Sequence, residues 1–360
     1  MLALLCPLAL FTACAQKKEP MSAGPSIVAG GDCLLDRKGL RSGLAGRQDA
    51  ASIPRGDRDR RWDTIAAAAR NSGSFIFNLE TAVGRGGRAR KKPFVFHADE
   101  ETLAPLCALP QPVAALANNH SMDFGPEGLL EGIGCLDRAG IGHAGAARTL
   151  ALAASPCILR LDGPAGALRL SVLSFGFDAD AGSYNEKQGA CIAPLNLDLM
   201  RRSIRSARAS SNEVLVMLHW GTEYSRYYDE RQRYIAEELV RAGARLIVGT
   251  GPHVLQGLEI YRDSLICYSL GNLVFDDTES EETRTTVLVR ACFPGDRRER
   301  KKAVFEIAPL RTSAARDGPL VPSAKEAGSV IGRLARLSAP GLKIRSRGRD
   351  AEGILWYSIE

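Results

Sequence analysis

The sequence predicts an α/β fold, and three observations carry the prediction. From Ser26 to Thr250 short apolar runs alternate with helical segments, the pattern of a sheet flanked by helices. After Thr250 the pattern changes to paired apolar runs, which adds antiparallel strands. Five of the apolar runs end in acids, amides or histidines. In α/β sheets, sites assemble outside the carboxyl ends of the strands, so these endings belong together.

The elements follow in order. "SIVAG" (26–30) reads as a strand, and "RWDTIAAAARNSG" (61–73) as a helix closed by Gly73. "SFIFN" (74–78) and "PVAALA" (112–117) are strands. "GPEGLLEGIGCLDRAGI" (125–141) is a helix despite its glycines. "LRLSVLSF" (168–175) is a strand, and "LDLMRRSIRSARAS" (197–210) has the spacing of an amphipathic helix. "EVLVML" (213–218) and "RLIVGT" (245–250) are strands on either side of a strong helix at 229–244. The hairpin strands are "GLEIYR", "SLICYSL", "TTVLVRACF" and "AVFEIAPL", with a basic turn at 294–302. Residues 311–360 read as a C-terminal extension with a helical segment at 323–337 and a final strand-like "GILWYSI".

The chain has 360 residues, 45% hydrophobic and 24% charged, with a net charge of +6. That is an ordinary globular composition, large enough to bury a polar site. The mild basicity allows an anionic partner. RNP motifs, zinc fingers and basic-zipper heptads are absent from the sequence, so no nucleic-acid partner is expected. The apolar run before Cys14 has the size of a signal-peptide core and is too short to span a bilayer. "LFTAC" resembles a lipobox, with Phe11 where leucine is usual. The expectation is a signal peptide at 1–14, a lipid on Cys14, a linker at 15–25 and an exported lipoprotein anchored at the cell envelope. Seven cysteines follow Cys14, an odd number that argues against a complete disulfide framework.

The polar strand ends supply the candidate site. "AGGD" offers Asp32, and "FNLE" offers Asn78 and Glu80. "ANNHSMD" offers Asn118, Asn119, His120 and Asp123; "LHWGTE" offers His219 and Glu223; "GTGPH" offers His253. Taken singly, Asp32 could cap a turn, the asparagines could form one, and Asp123 could cap the following helix. His97 and His143 lie away from such strand ends. Jointly, Asp, Glu, Asn and His are hard-to-borderline donors suited to Mn, Fe, Zn or Mg. A metal there would polarise a substrate oxygen and lower the pKa of a bound water.

"GDCLLDR", "FNLET", "LANNHSMDFGPEGL", "HWGTEY" with the following helix and strand, and "ICYSLGNLVFD" resemble the CapA family of capsule-synthesis proteins. The resemblance runs in order from Ser26 to Asp277, about two thirds of the chain. It implies a calcineurin-like metallophosphoesterase fold, a four-layer α/β/β/α sandwich, as one domain over 26–310. It also implies a role in poly-γ-glutamate or capsule formation. By position it places metal ligands at Asp32, Glu80, Asn119, His120, His219 and His253, for one or two divalent ions. Two departures bear on the count. Gly251 stands where relatives usually carry the first histidine of an HPH motif, and Leu34 stands where ordinary metallophosphoesterases carry the histidine of Asp-x-His. Together they remove two nitrogen ligands, which makes a single ion the expectation.

Two functions follow. The first is a metal-dependent hydrolase acting on a phosphoester or a γ-glutamyl amide, with His120, His219 or Glu223 as acid or base and Asn118, Asp123 and Asn272 meeting substrate. The second is a non-catalytic assembly or export factor. It would bind an anionic envelope polymer, poly-γ-glutamate or a capsule precursor, within a membrane synthesis or export complex. Its support is "RGGRARKK" (85–92), with five positive charges that read either as a polyanion attractor or as a solvated loop.

Overall fold

A computed structural model of the chain describes residues 24–35, 60–163, 166–176, 189–275, 280–294, 302–312 and 318–360, with the backbone of 40–41. The expected signal segment with Cys14, nearly all of the linker and the interior of the basic turn at 294–302 lie outside these residues.

The first sheet begins with β1 (Ser26–Cys33), β2 (Ser74–Leu79), β3 (Val113–Ala115) and β4 (Gly142–Ala144). The second contains β5 (Cys157–Leu161), β6 (Leu168–Gly176), β7 (Glu213–His219), β8 (Leu246–Thr250), β9 (Leu258–Tyr261) and β10 (Ser264–Cys267). The chain then returns to the first sheet through β11 (Asn272–Val274), β12 (Thr285–Cys292), β13 (Val304–Arg311), β14 (Ile344–Arg349) and β15 (Leu355–Ile359). The nine-stranded sheet runs β14-β15-β13-β12-β1-β2-β3-β4, with β11 also paired to β1. The six-stranded sheet runs β5-β6-β7-β8-β10-β9. Strands β1 to β4 are parallel, as are β6, β7, β8 and β10.

Strand alternation explains the layering. Along β7, Leu215 and Met217 point into the core between the sheets, while Val214, Val216 and Leu218 point into the opposite one. Along β1, Ile27 and Ala29 share the inter-sheet core with β7, and Val28 faces the other side. Parallel strands covered on both faces are apolar throughout, as these sequences are. Helices α1 (Asp63–Ala69) and α2 (Gly125–Arg138) cover the outer face of the large sheet through Ile65, Leu129 and Leu136. Helices α3 (Leu197–Ser210) and α4 (Glu230–Ala242) cover the outer face of the smaller one through Met200, Ile204, Ile235 and Leu239. The result is the expected four-layer α/β/β/α sandwich.

Local sequence sets the helix ends. Asn196 caps α3 by accepting from the Leu199 amide at 2.9 Å. Asp229 and Gln232 form a reciprocal capping box on α4. The first predicted helix is shorter than its apolar spacing implies, because Ser72 turns back on the Ala69 carbonyl through both its amide and its hydroxyl. The third strand stops at Ala115, so Leu116 and Ala117 lead into the polar turn. Residues beyond 310 complete the large sheet: β15 pairs with β13, and α5 (Ala324–Leu337) sends Ala327, Ile331 and Leu334 into the inter-sheet core.

Candidate metal centre

The carboxyl ends of the two parallel stretches meet at one seam. In the large sheet Asp32 is in register with Asn78 on one side and Asn272 on the other. In the smaller sheet Gly176, His219 and Thr250 are in register across β6, β7 and β8. Pairing is irregular on both sides of Asp32, a local bulge of the kind that re-aims a side chain beside a site. Gly31 makes this possible: a Cβ there would lie 1.9 Å from the Gly271 carbonyl oxygen.

Asp32 is fully buried. Its Oδ1 accepts from Asn78 Nδ2 at 2.8 Å, and its Oδ2 accepts from the Gly251 amide at 3.1 Å. His253 Nδ1 lies 3.4 Å from Oδ2, and His219 Nδ1 lies 3.8 Å from Oδ1. Burial alone would push this carboxyl up; the hydrogen bond and charge of His253, then the charge of His219, overcome it and hold it at about 2. Asp32 is therefore an anion at neutral pH.

Glu80 is fully buried and neither of its carboxylate oxygens has a hydrogen-bond partner. Three imidazoles converge on it: Nε2 of His219 and of His253 stand 3.8 Å from Oε1, and Nε2 of His120 stands 4.0 Å away. These gaps are too long for hydrogen bonds. Donor atoms each about 2.1 Å from a shared cation lie roughly 3–4 Å apart. Asp32, Glu80 and His219 offer donor atoms that all lie within 4.8 Å of one another, the one such group among the described residues. Burial pushes the Glu80 carboxyl well above the usual carboxylate range, the charge of His253 opposes this, and the charge of Asp32 adds to it.

The histidines are held from behind. His120 Nδ1 contacts Asp123 Oδ2 at 2.8 Å, and the His120 ring packs on Phe96 with centroids 4.1 Å apart. His219 Nδ1 lies 3.2 Å from Thr250 Oγ1. His253 Nδ1 lies 2.9 Å from Asn272 Oδ1. Burial lowers His219 to about 4, so its imidazole is neutral and keeps one ring lone pair that a cation can use. Burial also disfavours the charge on His253, but Glu80 and Asp32 outweigh it and raise this histidine to about 10.

The predicted residues thus divide into three groups. Asp32, Glu80, His120, His219 and His253 come together. Asn119 brings a buried Oδ1 that has no hydrogen-bond partner. The orphaned Glu80 carboxylate, faced by the imidazoles, fits a cation that would satisfy it. The residues expected to meet substrate are instead buried supports. Asn118 is bonded to Asn78, the Leu79 carbonyl, the His120 amide and Ser121, which uses up its side chain. Asp123 is fully buried against Lys92, Phe96 and His120, and Asn272 is 1% exposed behind His253. Glu223 is solvent-exposed and reaches Glu80 through its charge alone. His97 sits against the Gly84 carbonyl and Phe124, and His143 pairs with Asp137, so both stand outside the centre.

Four contributors were missed: Lys92, Phe96, Thr250 and the Gly251 amide. Thr250 ends a strand in register with His219, so the strand-end rule was able to find it. The others come from loops with no periodic signal. Leu34, at the position of a lost histidine, is buried and its amide bonds the Val274 carbonyl at 2.7 Å.

The sequence model of a family described as bacterial capsule synthesis protein PGA_cap matches residues 26–277. The capsule biosynthesis protein CapA of Bacillus anthracis is 30% identical over 248 residues, 68% of this chain and 58% of that protein. The PGA biosynthesis protein CapA of Bacillus subtilis is 28% identical over 244 residues, again 68% of this chain and 60% of that protein. The chain therefore spans about 60% of the length of these relatives. The solved structure of the sulfate thiohydrolase SoxB of Thermus thermophilus overlays with a TM-score of 0.45 at 13% identity, covering 88% of this chain and 61% of that one, a likeness too loose to carry chemistry across.

Proposed function

The chain belongs to the PGA_cap family of bacterial capsule synthesis proteins, and from that premise we propose that it is a metal-dependent hydrolase serving the formation of an anionic envelope polymer. The observation that supports the metal is Glu80: a buried carboxylate with no hydrogen-bond partner, facing three histidine Nε2 atoms. Asp32, Glu80, Asn119, His120, His219 and His253 would hold a divalent ion, Mn, Fe, Zn or Mg. The ion supplies Lewis-acid polarisation of a substrate oxygen. The residues around it set geometry and protonation. Asp123 orients His120, Asn272 orients His253, and the Gly251 amide with Asn78 keeps Asp32 aimed at the seam. His219, neutral at physiological pH, offers a lone pair without first losing a proton.

We take the polymer to be poly-γ-glutamate or a capsule precursor, as the resemblance to the CapA family implies; the relatives' names, capsule biosynthesis and PGA biosynthesis, support this reading. A second reading, polymer binding without hydrolysis, draws on the basic segment 85–92. Arg88 and Lys91 are exposed there on a loop pressed against α2, where a Cβ at Gly86 would lie 2.0 Å from Glu131 Oε2. Under either reading we propose that the chain is a lipoprotein anchored at the cell envelope through Cys14, beside a membrane synthesis or export complex.

Incubating the Mn2+-loaded protein with γ-glutamyl oligomers and with a phosphodiester tests the hydrolase. Expected is chelator-sensitive cleavage of one of them, lost in Glu80→Gln and His219→Ala. A metal-loaded protein that binds the oligomers and cleaves neither substrate favours the second reading.

A further inference from the structure

We propose that Lys92 is a positioning residue that holds two ligands of the centre, Asn119 and His120, in place; the proposal rests on the metal reading above. Lys92 closes the basic run, yet its side chain is 14% exposed and points inward. Its Nζ donates to the Asn119 carbonyl at 2.8 Å and to Asp123 Oδ1 at 2.5 Å. The other oxygen of Asp123 accepts from the Phe96 amide at 2.7 Å and contacts His120 Nδ1 at 2.8 Å.

The donor inventory then dictates the tautomer of His120. An ammonium has no acceptor, and a carboxylate has no donor. Lys92 Nζ lies 3.5 Å from His120 Nδ1, while Asp123 Oδ2 sits at bonding distance, so Nδ1 carries the hydrogen that Asp123 accepts. The opposite nitrogen, Nε2, is left with its lone pair towards Glu80. Asp123 is 0% exposed and needs a compensating charge, which Lys92 supplies. The second bond of Lys92, to the Asn119 carbonyl, pins the turn that carries the orphaned Asn119 Oδ1. One ammonium thus fixes the backbone of one ligand and, through Asp123, the tautomer of the next. It arrives from a loop locked in turn on α2, where the Arg85 amide bonds Glu131 Oε1 at 2.9 Å. Outer partners of this kind typically change metal affinity by about 10–100-fold when lost.

The test uses the full chain and two readouts. Long-range 1H–15N spectra of the metal-free protein report the His120 tautomer, and calorimetry reports the Mn2+ dissociation constant. Wild type should show the Nδ1–H form of His120. Lys92→Met should mix the tautomers and weaken Mn2+ binding about tenfold or more. If Lys92→Met does not fold, Lys92→Gln, which keeps a donor for the Asn119 carbonyl, carries the same two readouts. A folded variant whose His120 tautomer is unchanged overturns the proposal, whatever its Mn2+ affinity. Wild type that binds no Mn2+, together with a variant whose tautomer shifts, removes the metal reading and leaves the positioning role standing.

Discussion

His219 Nε2 stands 3.8 Å from Glu80 Oε1, across a gap that no hydrogen bond fills. The two residues come from different sheets, His219 from the end of β7 and Glu80 from just past β2. Their approach is what makes the seam a cation site, and it has consequences for metal, for pH and for stability.

The first concerns Glu80 itself. Burial destabilises its ionised form, so Glu80→Gln should stabilise the metal-free protein by roughly 1 kcal/mol or more. The same change should weaken metal binding at least about tenfold. Thermal melts in chelator and calorimetry with Mn2+ measure the two effects. A variant that loses stability without metal, or keeps wild-type affinity, would show that Glu80 is not waiting for a cation.

Metal affinity should rise with pH. In the metal-free protein His253 is raised from 6.5 to about 10, so it binds a proton across that window that the unfolded chain has lost. Its contribution to stability is therefore complete below about 6.5 and disappears as pH rises through about 10. A cation must displace that proton, so affinity should climb about tenfold per pH unit for each proton released near neutrality. Calorimetry in buffers of different ionisation enthalpy counts the protons. Binding that releases none would place His253 outside the ligand set.

Restoring a histidine at 251 should fail. Gly251 has φ +104, and a Cβ there would lie 2.9 Å from the Trp220 carbonyl oxygen. Gly251→His should cost about 1–3 kcal/mol of stability and add no metal, and Gly251→Ala should lose stability for the same backbone reason. A stable Gly251→His protein with a higher metal content would mean that this loop relaxes to accept the ligand.

Strand-end chemistry made the ligands legible. Asp32, Glu80, His120, His219 and His253 each follow an apolar run, and the parallel stretches of both sheets turn those ends to one seam. The same rule did not separate ligands from their supports. Asn118, Asp123 and Asn272 lie beside ligands in sequence, but only burial shows that their atoms are occupied by neighbouring protein groups. Lys92 was hidden for the opposite reason. It ends a charged run that reads as solvent-facing, and only the tertiary approach of Asp123 draws it inward.

The N-terminal expectation has its own test. With Cys14 lipidated, the protein should fractionate with membranes, and Cys14→Ser should release it. Wild-type protein recovered in the soluble fraction with an intact Met1 would end this proposal.

The central claim is that the seam between the two sheets binds a cation, and metal content tests it most directly. Protein purified without chelator should carry about one first-row divalent ion per chain, and His219→Ala and Glu80→Gln should each lower that occupancy. Wild-type protein that holds no metal after mild purification and takes up none on soaking with Mn2+, Fe2+ or Zn2+ would contradict it.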